Sequence, residues 1–255
     1  MPSLKRTIAN ILERLSGNLI IPPNEVHLGP ERMHLRRFFA YFGVDCVFDV
    51  GANRGQYARM LREHIGFTGH IISFEPIPEL AQALTIDAQA DGNWHVEQLA
   101  LDREPGPTTF HIMHESQFSS LHRPRADQPD IFNEDNRVAR SITVERSTVA
   151  AELTRFQSKL GFARPFLKID TQGNDLAVVQ GAGDALAKFV GIQTELAIRR
   201  LYEDSAGLVE SLADLDLQGF ELSAFVPNNA GHFPMLVEMD CVLFRRGVIP
   251  QDPNA

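Results

Sequence analysis

Cysteine is scarce in this chain. The only two, Cys46 and Cys241, sit inside strand-like apolar runs. Two scattered thiols supply neither a disulfide framework nor a zinc cluster, and their expected state is buried and reduced. A reducing, cytoplasmic location fits. Positive charge is short as well: 24 Lys and Arg face 33 Asp and Glu, for a net charge of −9. That balance argues against a general affinity for nucleic acid. No apolar run approaches the ~18–20 residues needed to span a bilayer. The first residues, MPSLKRTIANILERL, carry charges where a secretory signal would be apolar. Secretion by that route is therefore not expected.

What is present is enough apolar material for a packed core: 44% of 255 residues. The length suits one large α/β domain. Residues 4–16 form an amphipathic helix candidate, with Ile8, Ile11, Leu12 and Leu15 on one face. Folding against the domain is the favoured reading, and peripheral membrane contact the alternative. A second helix is expected at 30–42, with Pro30 to start it and Gly43 to end it. Residues 1–43 thus read as an N-terminal helical extension, and 44–255 as the main domain. From Asp45, strand candidates fall at 45–50, 70–75, 94–99, 165–170 and 189–195. Helices fit at 54–65, 78–90, 148–160, 174–187 and 206–218. This alternation predicts right-handed crossovers and a mostly parallel sheet. It breaks at the end, where GFELSAFV and LVEMDCVLFR flank the turn-rich PNNAGHFPM. Two strands so connected pair antiparallel. After the strand-like TTFHIMH, residues 115–140 read as a long polar loop.

The stretch Val47–Tyr57, VFDVGANRGQY, runs from strand through glycine turn into helix. This is how an α/β protein brings backbone N–H groups to a ligand at its strand ends. Gly51 lets the backbone approach closely, and Gly55 allows close packing where the helix starts. The spacing is G-x-x-x-G. It lacks the G-x-G-x-x-G of dinucleotide sites and the Lys-Ser/Thr of a phosphate loop. A cofactor without pyrophosphate suits it better. Asp49 can accept from an ammonium group, directly or through water. Glu75, ending HIISFEP, can accept from both hydroxyls of a ribose. An amino-acid end and a ribose end on one ligand describe S-adenosylmethionine. The cofactor-binding set is Asp49, Gly51, Ala52, Asn53, Gly55, Glu75, Pro76 and Ala100. A second stretch, PFLKIDTQGND, places Lys168 and Asp170 on one face of a buried strand, within ion-pair reach. QTEL ends the next strand candidate with Glu195.

VFDVGANRGQY, SFEP, FLKIDTQGND, TEL with LY beyond it, and GF…EMDCVLFRR together resemble the FkbM family of S-adenosylmethionine-dependent methyltransferases, over roughly residues 45–246. The resemblance implies a Rossmann-like class I methyltransferase. Its sheet would be seven-stranded and mostly parallel, with helices on both faces and a terminal antiparallel hairpin. It implies O-methylation of a hydroxyl on a sugar, polyketide, glycolipid or polysaccharide. The acceptor would be a small molecule or a glycan. The family most often has glutamate where this chain has Gln172. Methyl transfer needs an aligned acceptor oxygen and a group that takes its proton. Asp170 is the first candidate, Lys168 would keep it ionised, and Glu195 could share the work. The alternative is that Asp170 and Glu195 hold Mg²⁺. His114, His122 and His232 are further base candidates in loops. Arg123, Arg125, Arg137 and Arg140 could bind an anionic glycan or nucleotide sugar. Acceptor choice is expected to lie with residues 110–140 and 227–234. Two rival functions are a nicotinamide-dependent oxidoreductase and a non-catalytic binding protein on the same fold.

Overall fold

The computed structural model describes residues 28–227 and 234–252, together with Asn254. The helix candidate at 4–16, His232 and most of the loop at 227–235 lie outside the described residues. Helix α1, Gly29–Phe42, carries proline in its first turn and ends at Gly43, whose φ of 62° lies in the left-handed region. One face of α1 is buried through Leu35, Phe38, Phe39 and Phe42. The rings of Phe38 and Phe39 lie 5.4 and 5.1 Å from that of Phe166 in the central sheet. The extension expected at 1–43 therefore contributes a helix to the main core.

Strand β1, Cys46–Val50, is followed by α2, Gln56–Met60, which runs on as a π-helical turn, Leu61–Ile65. Next come β2 (His70–Phe74), α3 (Pro78–Ala88), β3 (Trp94–Glu97) and the two-residue β4 (Ala100–Leu101). Strands β5 (Gly106–Met113) and β6 (Val138–Ser147) precede α4 (Val149–Leu160), β7 (Pro165–Ile169) and α5 (Asp175–Gln180). Strand β8 (Gly191–Ala197), α6 (Leu208–Leu217), β9 (Phe220–Pro227) and β10 (Glu238–Arg245) complete the order.

The central sheet has seven strands in the order β3-β2-β1-β7-β8-β10-β9. Strands β1, β2, β3, β7 and β8 are parallel, and β10 runs antiparallel to both its neighbours. The mostly parallel sheet and its terminal hairpin match the expectation. Strand β1 is buried along its whole length because both faces are covered. Cys46, Phe48 and Val50 pack with Val149, Leu153 and Phe156 of α4 and with Val178 of α5. Val47, one pleat over, packs with the phenylalanines of α1, Leu61 and Leu84. Burying each such phenylalanine is worth about 1.5–3 kcal/mol.

Two regions differ from the sequence reading. Residues 138–147, of which it places 138–140 in the polar loop and gives the rest no element, form β6. This strand pairs antiparallel with β5 and adds a second, three-stranded sheet of order β4-β6-β5. Only Val144 of β6 is buried, with Ile142 partly so, an alternation too short to announce a ten-residue strand. The single helix expected at 174–187 is divided into α5 and a 3₁₀ segment, Gly183–Lys188. Gly181 lies at the break, where a Cβ would come within 2.1 Å of the Asp102 carbonyl oxygen.

Candidate active site

A cavity of about 840 Å³ opens at the carboxyl ends of β1, β2, β7 and β8. Gly51, Ala52, Asn53, Glu75, Pro76, Ala100, Lys168, Asp170 and Glu195 all line it. Asp49 and Gly55 do not. The β5–β6 insertion contributes Ser116 to Ser119 and Phe132 to its wall, and α1 contributes Glu31 and Arg32.

The glycine turn is shaped by chain against chain. Gly51, Asn53 and Gly55 have φ of 77°, 47° and 78°. A Cβ on Gly51 would sit 1.8 Å from the Asp170 carbonyl oxygen, and one on Gly55 would meet Leu84 at 2.6 Å. The close approach at Gly51 is therefore to the end of β7. The turn's N–H groups are also committed. Those of Gly51 and Ala52 both donate to the Phe74 carbonyl at 3.1 Å, and that of Gly55 to Ala52 at 2.7 Å. Asn53 donates to Glu75 Oε2 at 2.7 Å, and Arg54 to Gln56. The sequence reading has this turn presenting N–H groups to a ligand. Instead its donors are spent internally, and no phosphate cradle is formed.

Glu75 is held from both sides, since its other oxygen accepts from Ile77 N–H at 2.8 Å. Burial pushes its carboxyl up to about 7, against the lowering effect of those two N–H groups. Each oxygen keeps a lone pair for a ligand in the cavity.

Asp49 lies beneath the cavity floor, fully buried. It belongs to a polar row that crosses one face of the sheet. Trp94 Nε1 donates to Ser73 Oγ at 2.9 Å, and Ser73 donates to Asp49 Oδ2 at 3.0 Å. Asp49 Oδ1 faces Lys168 Nζ at 3.3 Å. The adjacent Gln193 accepts from the Tyr57 hydroxyl at 2.8 Å and donates to Glu31 at 2.7 Å. Strand register makes this row: Ser73 pairs with Asp49, Asp49 with Lys168, and Lys168 with Gln193. Lys168 also reaches Asp170 at 3.7 Å. Burial would lower the Lys168 ammonium's pKa, but Asp49 and Asp170 outweigh it and raise it.

The opposite wall is acidic. Glu195 pairs across the strands with Asp240, and Glu238 lies two residues along on the same face. Burial and the neighbouring acids push Glu195 and Asp240 well up and Glu238 to about 8. Between Asp170 and Glu195 stands Gln172, whose Nε2 is 2.9 Å from Asp170 Oδ1 and 3.2 Å from Glu195 Oε2. In this arrangement Gln172 turns an N–H group, not an oxygen, to the space between the two acids, where a Mg²⁺ would need oxygen ligands. Among the described residues, one group of potential metal ligands converges: His114, Glu115 and Asp135, all exposed.

His122 approaches Asn174 at 3.2 Å, and neither it nor His114 lines the cavity. The four loop arginines are absent from the lining too. Arg125 pairs with Asp127, and Arg140 with Glu79, at the surface. Glu31, Glu238 and Asp240 are site residues that sequence reasoning did not single out. Glu31 carries no local signal, since it precedes the glycine turn by 20 residues and arrives only through packing of α1.

The parallel sheet, the strand-end cavity and the antiparallel β10 define a class I S-adenosylmethionine-dependent methyltransferase fold. A family model described as the methyltransferase FkbM domain matches residues 49–205, and the chain belongs to that family. No curated protein matches it. Among solved structures, the chain is similar to the methyltransferase FkbM from Methylobacillus flagellatus KT, with 14% identity and a TM-score of 0.44. The match covers 79% of this chain but 43% of that one, so this chain spans less than half of its relative's length. Aeropyrum pernix fibrillarin with natively bound S-adenosyl-L-methionine has 12% identity over 84% and 73% of the two chains, at a TM-score of 0.45. An rRNA methylase from Streptococcus thermophilus has 10% identity over 89% and 99%, at 0.43. Among the described residues, no helix is long and apolar enough to cross a membrane.

Proposed function

We propose that this chain is an S-adenosylmethionine-dependent O-methyltransferase that acts on a hydroxyl of a sugar-containing acceptor. The observation that carries the cofactor reading is Glu75. It is a buried acid, oriented by two backbone N–H groups, that lines the cavity beside a glycine turn with no N–H to spare. Such a turn suits a cofactor without phosphate and counts against a nicotinamide dinucleotide. Glu75 would hold the ribose hydroxyls, and the Ala52–Asn53 and Pro76 backbone would flank the nucleoside. When bound, the cofactor supplies a methyl group on a sulfonium centre.

The chain's own residues do the rest. Successive strands are spaced about 4.8 Å apart, so β8 and β10 lie well to one side of Glu75. The acceptor occupies that side. Asp170, the most exposed acid of the group at 42% of its side chain, orients the acceptor hydroxyl and takes its proton. Lys168, 3.7 Å away, holds Asp170 in place. Glu195 assists from the next strand. Burial holds Glu31, Glu195, Glu238 and Asp240 toward their protonated forms, so they offer hydrogen bonds to a neutral polyol and no counter-charge to an anionic acceptor. Wild-type protein should give calorimetric heat with the cofactor or its demethylated product, weakened in Glu75→Ala. No heat with either ligand would sink the reading.

A further inference from the structure

We propose that Gln172 takes the place of a divalent cation between Asp170 and Glu195, acting as a positioning residue that makes this end of the cavity independent of metal. The side chain is buried and its amide bridges the two acids, Nε2 lying 2.9 Å from one carboxylate and 3.2 Å from the other. A primary amide has two N–H bonds, one for each acceptor. Turning the amide over would set its oxygen against two acids. At its other end Gln172 Oε1 lies 2.9 Å from the hydroxyl of Tyr202, itself 2% exposed, which shares its one proton between Gln172 and the Phe118 carbonyl at 2.8 Å. The backbone is held by Ser120 of the β5–β6 insertion, whose Oγ donates to the Gln172 carbonyl at 2.7 Å. Its φ of 54° is one that non-glycine residues adopt only when their surroundings require it. Two segments distant in sequence, at Ser120 and Tyr202, therefore hold one amide between two carboxylates.

A divalent cation at this point would need a third hard oxygen ligand beside Asp170 and Glu195. Gln172 supplies a donor there instead. It joins the acids by two hydrogen bonds and brings no positive charge. Replacing the amide by a carboxylate turns the same corner into a three-acid set. Replacing it by a methyl group leaves a gap that water can fill.

The test is Mn²⁺ titration of metal-stripped full-length protein, read by electron paramagnetic resonance, for wild type, Gln172→Glu and Gln172→Ala. Asp170→Asn, alone and added to each variant, separates this site from the exposed group at His114, Glu115 and Asp135. Wild type should show no Mn²⁺ binding that Asp170→Asn removes. Gln172→Glu should gain a site roughly tenfold or more tighter than any in wild type, and Gln172→Ala a weaker one, both lost with Asp170→Asn. An Asp170-dependent site in wild type overturns the proposal. So does the absence of any gain in the folded variants. If Gln172→Glu does not fold by circular dichroism, Gln172→Ala decides alone. The proposal rests on the methyltransferase reading only for the name of the site. Calorimetry with the demethylated cofactor on the same wild-type sample tests that reading separately, since a null there leaves the Mn²⁺ result standing.

Discussion

Asp49 and Lys168 form an ion pair at 3.3 Å beneath the glycine turn, on adjacent strands, with Asp49 fully enclosed and Lys168 at the cavity's edge. The pair is the centre of the polar row that runs from Trp94 to Glu31 under the cavity. It also ties β1 to β7 at the point where the cofactor turn begins. Its role is therefore mechanical as well as electrostatic, and several outcomes depend on it.

Removing one partner should be costly. Lys168→Met leaves Asp49 buried without a counter-charge, which typically destabilises a fold by about 3–5 kcal/mol. Chemical denaturation should show a loss of that size. Asp49→Asn together with Lys168→Met should recover part of it, because neither charge then remains. A Lys168→Met protein as stable as wild type would show that the pair does not hold the strands.

Gly51→Ala should damage both fold and site. The new methyl would lie 1.8 Å from the Asp170 carbonyl oxygen, and the φ of 77° is unfavourable for any side chain. Relief requires the turn or the end of β7 to move. The expected result is a lowered melting temperature and loss of binding to the demethylated cofactor by calorimetry. Unchanged affinity would mean that the turn is not part of the cofactor site.

Glu75 titrates in the working range, which gives two opposite pH effects. Burial raises its carboxyl from 4.5 to about 7. The folded protein then holds a proton that the unfolded chain has released, so Glu75's contribution to stability declines as pH rises from about 4.5 through about 7. Binding of a ribose by the ionised carboxylate runs the other way, and affinity should rise over the same upper range. Calorimetry with the demethylated cofactor at pH values from about 6 to about 8 should show up to a tenfold gain in wild type, absent in Glu75→Gln. An identical gain in that variant would assign the titration to another group.

Helix α1 should be indispensable. Phe38 and Phe39 pack on Phe166, and Glu31 from the same helix accepts a hydrogen bond from Gln193. Phe38→Ala should cost about 3–5 kcal/mol in denaturation, as for large core truncations elsewhere. Glu31→Gln should leave stability nearly intact and shift acceptor preference. If Phe38→Ala is silent, α1 is an appendage after all.

The acid wall makes a prediction about the product. Methyl transfer from labelled cofactor into a cell extract should place the label in neutral, sugar-containing material on ion exchange. Label recovered only in anionic glycans would contradict the reading of Glu31, Glu195, Glu238 and Asp240 as acceptor contacts.

Much of this was visible in the chain because parallel α/β architecture writes itself locally. Each buried strand is a short apolar run that ends in a polar residue, and each crossover helix has its own apolar stripe. Asp49, Glu75, Asp170 and Glu195 could be placed near strand ends on that basis alone. The antiparallel finish could be read from two strands with no room for a helix between them. Strand β6 could not, because a half-exposed strand outside the main core carries Arg140, Glu145 and Arg146 where an inner strand would carry apolar residues.

Which acid faces the cavity was decided only by tertiary structure. Asp49 and Glu75 look alike in sequence, each an acid near a strand's end. Asp49 falls one pleat inside β1, opposite Lys168, and is enclosed. Glu75 falls one residue past β2, where the chain turns and opens to the cavity. Gln172 likewise reads as a neutral residue in a turn until Tyr202 and Ser120 aim it between two acids. Glu31 reaches the site only when α1 packs. Sequence determines strand, turn and helix because those depend on neighbours along the chain. Charge pairing across strands depends on register and pleat, which exist only once the sheet has formed.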